Sequence, residues 1–224
     1  MLIRKSQYIS SLRCEYLAKL VDSDYEVEMY HFDVGRQIHE LAALYFQEGL
    51  YELSSDEILN FVDGLEVIPK VKVLFRNFLE FEEARKRIFK EHGIEEPKVV
   101  VERHFEGNIL PIQGTPDRID VFDGNLAFLY EYKSGSGRSP FIERELHFYK
   151  MLLEENGYEV FGMGVLYLGR YGKFKLVKFS RQIEDVVVRE VMELMRKLKR
   201  DELKPNKRYC RLCAYRQVCD RYEE

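Results

Sequence analysis

Apolar positions divide the chain into a helical first part, a run of strands and a helical end. Between residues 36 and 48, Ile38, Leu41, Ala42 and Tyr45 recur at spacings of three and four, which predicts a helix. A shorter helix over 54–63 is predicted behind a Ser54 or Ser55 cap. Over 70–91, Val71, Leu74, Phe75, Phe78 and Leu79 form one apolar stripe that Gly93 ends. The period then changes to two. Residues 98–105 (KVVVERHF), 118–122 (RIDVF) and 126–133 (LAFLYEYK) read as strands, with Asp123-Gly124 as a hairpin turn. A helix over 141–155 precedes a second strand pair at 159–168 and 173–179. A final amphipathic helix over 183–200 keeps Ile183, Val187, Val191, Leu194 and Leu198 in register. The expected fold is α/β (α+β), a small mixed sheet flanked by helices. One domain over 1–224 is expected. Within it lie a helical part at 1–95, a strand-rich core at 96–180, and a C-terminal helix with a cysteine-rich tail at 181–224.

Hydrophobic residues make up 46 % of the 224 residues, enough for a sizeable core and too many for a disordered chain. No run approaches the roughly 20 apolar residues of a membrane helix. The opening MLIRKSQYISSLRCEY lacks the apolar stretch and cleavage site of a signal peptide, so a cytoplasmic protein without membrane contact is expected. With 35 Lys+Arg against 39 Asp+Glu, the net charge of −4 argues against a bulk nucleic-acid coat. Local patches are another matter. Residues 196–216 carry nine basic and two acidic side chains, and a segment of that density attracts phosphates. Lys207 and Arg208 lie within it. A solvated helix face is the competing explanation.

The strand LAFLYEYK places Glu131 and Lys133 on one face at its end. If the Asp123-Gly124 hairpin pairs the strands, Asp117 comes to lie near Glu131. Two carboxylates held together repel and favour a shared cation. Oxygen ligands select hard ions, Mg²⁺ or Mn²⁺. A carboxylate-held cation beside a lysine suits phosphodiester hydrolysis, with the lysine orienting or helping to deprotonate the attacking water. Glu-x-Lys also occurs at Glu96-Pro97-Lys98 and Glu202-Leu203-Lys204, so spacing alone leaves open an exposed, salt-bridged strand end. The segment SGSGRSP (134–140) follows Lys133 as a loop, with Arg138 a candidate phosphate contact.

Four cysteines remain. Cys210-x-x-Cys213 and Cys219 fall in the tail and Cys14 near the start. In a reducing compartment such thiols suit zinc or an iron–sulfur cluster rather than disulfides. A lone Cys14 is otherwise a small buried hydrophobe.

Together these motifs resemble the PD-(D/E)xK nuclease superfamily and its RecB-like iron–sulfur branch. Gly35-Arg36-Gln37-Ile38-His39 is similar to the branch's G-x-x-x-H, and Gly114-Thr115-Pro116-Asp117-Arg118-Ile119-Asp120 to its G-x-x-D-R-I-D. Glu131 and Lys133 match (D/E)-x-K. Glu145-Leu146-His147-Phe148-Tyr149 matches Q-x-x-x-Y, with Glu in place of Gln. The resemblance implies a restriction-endonuclease-like core. It implies His39, Asp117, Glu131 and the Tyr132 backbone carbonyl as metal ligands, and Lys133, with Asp117 and Glu131, as catalytic. Asp120, Glu145 and Tyr149 become supporting residues; taken singly, His39 also reads as a hydrogen-bonded core histidine, Asp120 as a partner of Arg118, and Tyr149 as plain core. Glu145 then needs a neighbouring cation, or Arg144, to offset its charge near the phosphate path.

Cys14 with C-x2-C-x5-C resembles the iron–sulfur nucleases, most closely the CRISPR-associated Cas-four exonuclease family. That implies a [4Fe–4S] cluster joining the N- and C-terminal segments. It further implies a Mg²⁺- or Mn²⁺-dependent DNA exonuclease or endonuclease acting on single-stranded DNA or DNA ends. Prespacer trimming for the CRISPR integrase complex would be its role, and homo-oligomers occur in the family. A RecB-like DNA-repair nuclease outside CRISPR, or a zinc-stapled nucleic-acid-binding protein without catalysis, are the alternatives.

Overall fold

The computed structural model describes residues 1–23, 30–135, 139–169 and 173–222. Arg138, the loop candidate for a phosphate contact, lies outside the described residues.

The chain opens with a two-residue strand β1 (Ile3–Arg4), helix α1 (Lys5–Ser11) and a short α2 (Leu17–Leu20). Helix α3 (Tyr30–Gln47) starts six residues before the sequence pattern suggests, because buried Val34 extends the apolar stripe past Gly35. Helix α4 (Ser55–Asp63) is capped by Ser54, whose hydroxyl accepts from the Glu57 amide in a reciprocal capping box. Helix α5 (Pro69–His92) begins with proline in its first turn and ends at Gly93 in the left-handed conformation (φ 63°).

The predicted strand over 98–105 is broken. Strand β2 (Lys98–Val101) stops at Glu102, a non-glycine residue at φ 50°. Beyond it β3 (Phe105–Glu106) joins a different sheet with β4 (Ile112–Gly114) and β1, in the order β1-β4-β3. That three-stranded sheet has no counterpart in the sequence reading, since strands this short carry no period.

The larger sheet has five strands in the order β2-β5-β6-β7-β8, with β5 (Arg118–Val121), β6 (Leu126–Lys133), β7 (Glu159–Tyr167) and β8 (Lys173–Leu176). All neighbours are antiparallel except β6 and β7. Helix α6 (Ile142–Glu155) makes the crossover that the parallel pair requires. The hairpin between β5 and β6 turns through Gly124 (φ 69°) and Asn125 (φ 64°).

The sheet is covered on both faces. Ile119, Ala127, Leu129 and Val165 pack against α1, α6 and α7 (Arg181–Arg200). Tyr130, Tyr132, Leu166 and Leu168 pack against α3, α4 and α5. This is a small mixed sheet between helical layers, consistent with a restriction-endonuclease-like core. The tail ends in a single turn, α8 (Lys207–Cys210), which with α2 encloses a third apolar cluster around Tyr16, Leu17 and Leu20. Among the described residues, no helix is long and apolar enough to cross a membrane.

Candidate active site

Register places the acids. Arg118 pairs with Tyr130 across β5 and β6, so one residue further Asp117 faces Glu131 at the strand end. Asp117 Oδ2 accepts the Tyr132 backbone N–H at 2.6 Å, which fixes its side chain over the end of β6. His39, from the middle of α3, reaches Asp117 with Nδ1 3.0 Å from Oδ1, and its ring meets Tyr132 edge-on. Glu102 completes a group: one ligand atom each from His39, Glu102 and Asp117 lie within 4.8 Å of one another. These residues line a cleft of about 550 Å³ with Gly35, Arg36, Glu40, Ala43 and Gln47 of α3. A Cβ at Gly35 would meet Ser134 Oγ at 3.9 Å, an ordinary contact, so steric space does not demand glycine there.

Glu131 is buried beside this group. Its Oε1 accepts from Lys133 at 2.7 Å and lies 3.3 Å from Lys5 Nζ. Its Oε2 is buried without a hydrogen-bond partner. A buried, ionised and unpartnered carboxylate oxygen is costly unless something cationic meets it. That orphan atom, with the imidazole and two further carboxylates, is a donor set that fits a hard divalent cation.

The electrostatics agree. Burial opposes ionisation of Asp117, but the His39 ring and the two lysines hold its carboxyl below the ordinary range. Burial and Asp117 both oppose ionisation of Glu131, and Lys133 and Lys5 outweigh them. Partial desolvation of the otherwise exposed Glu102 raises it above a normal glutamate, with Asp117 adding to the effect. Burial works against a charged His39, yet the Asp117 carboxylate beside it lifts its pKa to about 9. Burial likewise disfavours the Lys133 ammonium, and Glu131 and Glu145 more than offset that, so Lys133 stays protonated. As an ammonium it can donate hydrogen bonds to an oxygen placed beside it.

The remaining expected residues divide. Tyr149 lies beside the site: its hydroxyl donates to the Thr115 carbonyl at 2.8 Å, and a Cβ at Gly114 would lie only 2.8 Å from its ring. Gly114 is therefore glycine so that Tyr149 can pack against it. Glu145 is buried between two ammonium groups, 2.6 Å from Lys5 and 2.9 Å from Lys133. Arg144 does not provide that offset, because it pairs with Glu190 at 3.2 Å. Of the two expectations for Asp120, a supporting residue of the site or a partner of Arg118, the structure shows the second. It points to the opposite face of the sheet, where Arg118 donates to it at 2.6 and 2.8 Å. Arg118 also reaches Glu82, and its guanidinium lies over the Phe46 and Tyr130 rings. Asp120 belongs to a buried ion network and not to the cleft.

Two residues of the site carry no motif. Glu102 is signalled only as a charged interruption of an apolar strand run. Lys5, in the first turn of α1, has no local signal, because only the tertiary fold brings that helix to the end of β6.

All four cysteines are free and line one pocket with Tyr16, Leu17, Leu20, Pro205 and Tyr209. Burial pushes the Cys213 thiol up, and the other three cysteines add to the shift. Thiols are zinc and iron–sulfur ligands by chemistry, but no three of these sulfurs lie within 4.8 Å of one another, so the structure shows a shared pocket and not an assembled metal centre. The basic segment beside it is partly neutralised: Arg196 pairs with Glu193 and Glu202, and Lys197 with Glu15. Arg208 is exposed on α8, and its backbone N–H donates to the Asn206 side chain.

A family model described as the PD-(D/E)XK nuclease superfamily matches residues 11–220. The chain belongs to that superfamily. It is by class a nuclease, a hydrolase whose substrate is nucleic acid, and nucleases of this superfamily use divalent metal ions. Among solved structures it is similar to one named "Putative exonuclease" from Eubacterium rectale, with a TM-score of 0.61 and 12 % identity over 100 % of this chain and 90 % of that one. A structure named SSO0001 aligns with a TM-score of 0.43 and 15 % identity over 97 % of both chains. No curated protein matches the sequence significantly.

Proposed function

We propose that this chain is a Mg²⁺- or Mn²⁺-dependent deoxyribonuclease acting on single-stranded DNA or DNA ends. The observation that carries the reading is the buried, unpartnered Glu131 Oε2 beside the His39–Glu102–Asp117 group, with the Lys133 ammonium on the other oxygen of the same carboxylate. His39, Glu102, Asp117 and Glu131 would hold the cation, joined by the Tyr132 carbonyl. When bound, such an ion neutralises charge on the phosphate and acidifies a coordinated water. The chain's own residues do the rest. Tyr132 N–H fixes Asp117, and Glu131 fixes Lys133. The Lys133 ammonium orients the attacking oxygen by hydrogen bonding and offsets charge as the phosphodiester bond breaks.

The four cysteines are assigned to a [4Fe–4S] cluster that clips the start of the chain to its tail. Their common pocket and their all-thiol chemistry support this. With the motif resemblance, that assignment favours DNA-end trimming in CRISPR adaptation, on prespacers handed to an integrase complex. Digestion of end-labelled single- and double-stranded DNA, with and without Mn²⁺, tests the reading. Mn²⁺-dependent loss of the single-stranded label is expected. Intact DNA under all conditions would leave a nucleic-acid-binding protein without catalysis.

A further inference from the structure

Two lysines and two glutamates from three elements meet at the end of β6. Glu145 of α6 lies 2.6 Å from Lys5 of α1 and 2.9 Å from Lys133. Glu131 lies 2.7 Å from Lys133 and 3.3 Å from Lys5. Both carboxylates are buried, and both lysines are mostly covered. Two positive and two negative charges therefore cancel within one small volume.

The arrangement explains how a glutamate is tolerated at position 145. Alone, its carboxylate would add a negative charge beside Asp117, Glu102 and Glu131, where a phosphate must enter. It would also compete with Glu131 for the Lys133 ammonium. A buried carboxylate is stable only when its partners are supplied, and Lys5 is the second partner. Lys5 is further anchored above the Tyr149 ring, its Nζ 5.3 Å from the centroid.

We infer that Lys5 and Glu145 form one positioning unit for Lys133: Lys5 neutralises Glu145, and the pair holds the Lys133 ammonium against Glu131 while keeping the pocket open to phosphate. This rests on the nuclease reading above. Lys5 touches neither the cation-binding atoms of His39 nor those of Asp117, and it acts through the two glutamates.

Charge balance provides the test. Lys5→Met leaves the quartet at −1, Glu145→Gln leaves it at +1, and the double variant returns it to zero. Mn²⁺ affinity, measured by calorimetry on the full chain, should become about three- to tenfold tighter in Lys5→Met and weaker by a similar factor in Glu145→Gln. In the double variant it should return towards wild type. Single-turnover cleavage of a single-stranded oligonucleotide should fall about tenfold or more in each single variant, as Lys133 loses its register. The double variant should regain most of that loss. Losses that add in the double variant, or Mn²⁺ affinities that shift in the same direction in both singles, would overturn the pairing. Glu145→Gln preserves side-chain volume, so a folding defect in Lys5→Met leaves the affinity test standing. Failure of the nuclease reading is separate: it shows as a wild-type chain that does not cleave, whatever the variants do to Mn²⁺ binding.

Discussion

The His39 imidazole and the Asp117 carboxylate form a 3.0 Å ion pair inside the acidic cleft, using donor atoms that a divalent cation would need. Proton and cation thus compete for one ring nitrogen. Burial disfavours the charged ring, but Asp117 and Glu131 raise its pKa to about 9, against an opposing contribution from Lys133. The account predicts that Mn²⁺ affinity rises by about tenfold per pH unit between roughly pH 7 and 9 and flattens above that. In cation-free protein the sign is opposite. The stability His39 contributes is complete below the ordinary histidine range and is lost as pH rises through about 9. Calorimetric Mn²⁺ titrations at three pH values check this; an affinity independent of pH would contradict it.

Glu102 sits at φ 50°, a conformation that costs a non-glycine residue stability, and its carboxylate joins the His39–Asp117 group. Strain at a ligand position predicts a trade-off. Glu102→Gly should keep or raise thermal stability, by up to about 1 kcal/mol. The same substitution should weaken Mn²⁺ binding by about tenfold or more. Glu102→Gln separates the effects, keeping the strain and losing the charge. Unchanged Mn²⁺ affinity in both variants would remove Glu102 from the site.

Asp120 and Arg118 are both fully buried and joined by two hydrogen bonds on the sheet face opposite Asp117 and Glu131. Removing one partner strands the other charge, so Asp120→Ala should destabilise the fold by about 3–5 kcal/mol. Partially denatured samples aside, its Mn²⁺ affinity should match wild type below the melting transition. Selective loss of Mn²⁺ binding with normal stability would instead make Asp120 a supporting residue of the metal site.

The cysteine pocket joins residue 14 to a tail beginning near residue 205. The proposed metal centre there would close a very long loop and add a few kcal/mol, about what a disulfide of comparable span provides. Anaerobically purified protein should be brown, and Cys14→Ala should lose the colour and melt at a lower temperature. Colourless protein with stoichiometric zinc would replace the cluster with the smaller ion.

Much of this architecture is legible in the sequence alone. The 3.6-residue stripes located α3, α5 and α7, and alternation in LAFLYEYK assigned Glu131 and Lys133 to one face, where the structure puts them. Hairpin register then placed Asp117 opposite. Elements without periodicity escaped: β1, β3 and β4 span two or three residues each, and the kink at Glu102 divides a run that reads as one strand. For Asp120 the motif leaves two readings, a supporting residue or a pair with Arg118; its three-residue spacing from Asp117 assigns it to the other face, where Arg118 stands. Lys5 was invisible because its partners, Glu131 and Glu145, are distant in sequence.

On the proposed function, Lys133 acts on the substrate beside a cation it does not itself hold. Lys133→Met in the full chain, assayed for Mn²⁺-dependent degradation of end-labelled single-stranded DNA alongside calorimetric Mn²⁺ binding, tests it most directly. The account predicts a loss of cleavage of about a hundredfold or more with Mn²⁺ still bound. Cleavage at the wild-type rate by that variant would contradict it.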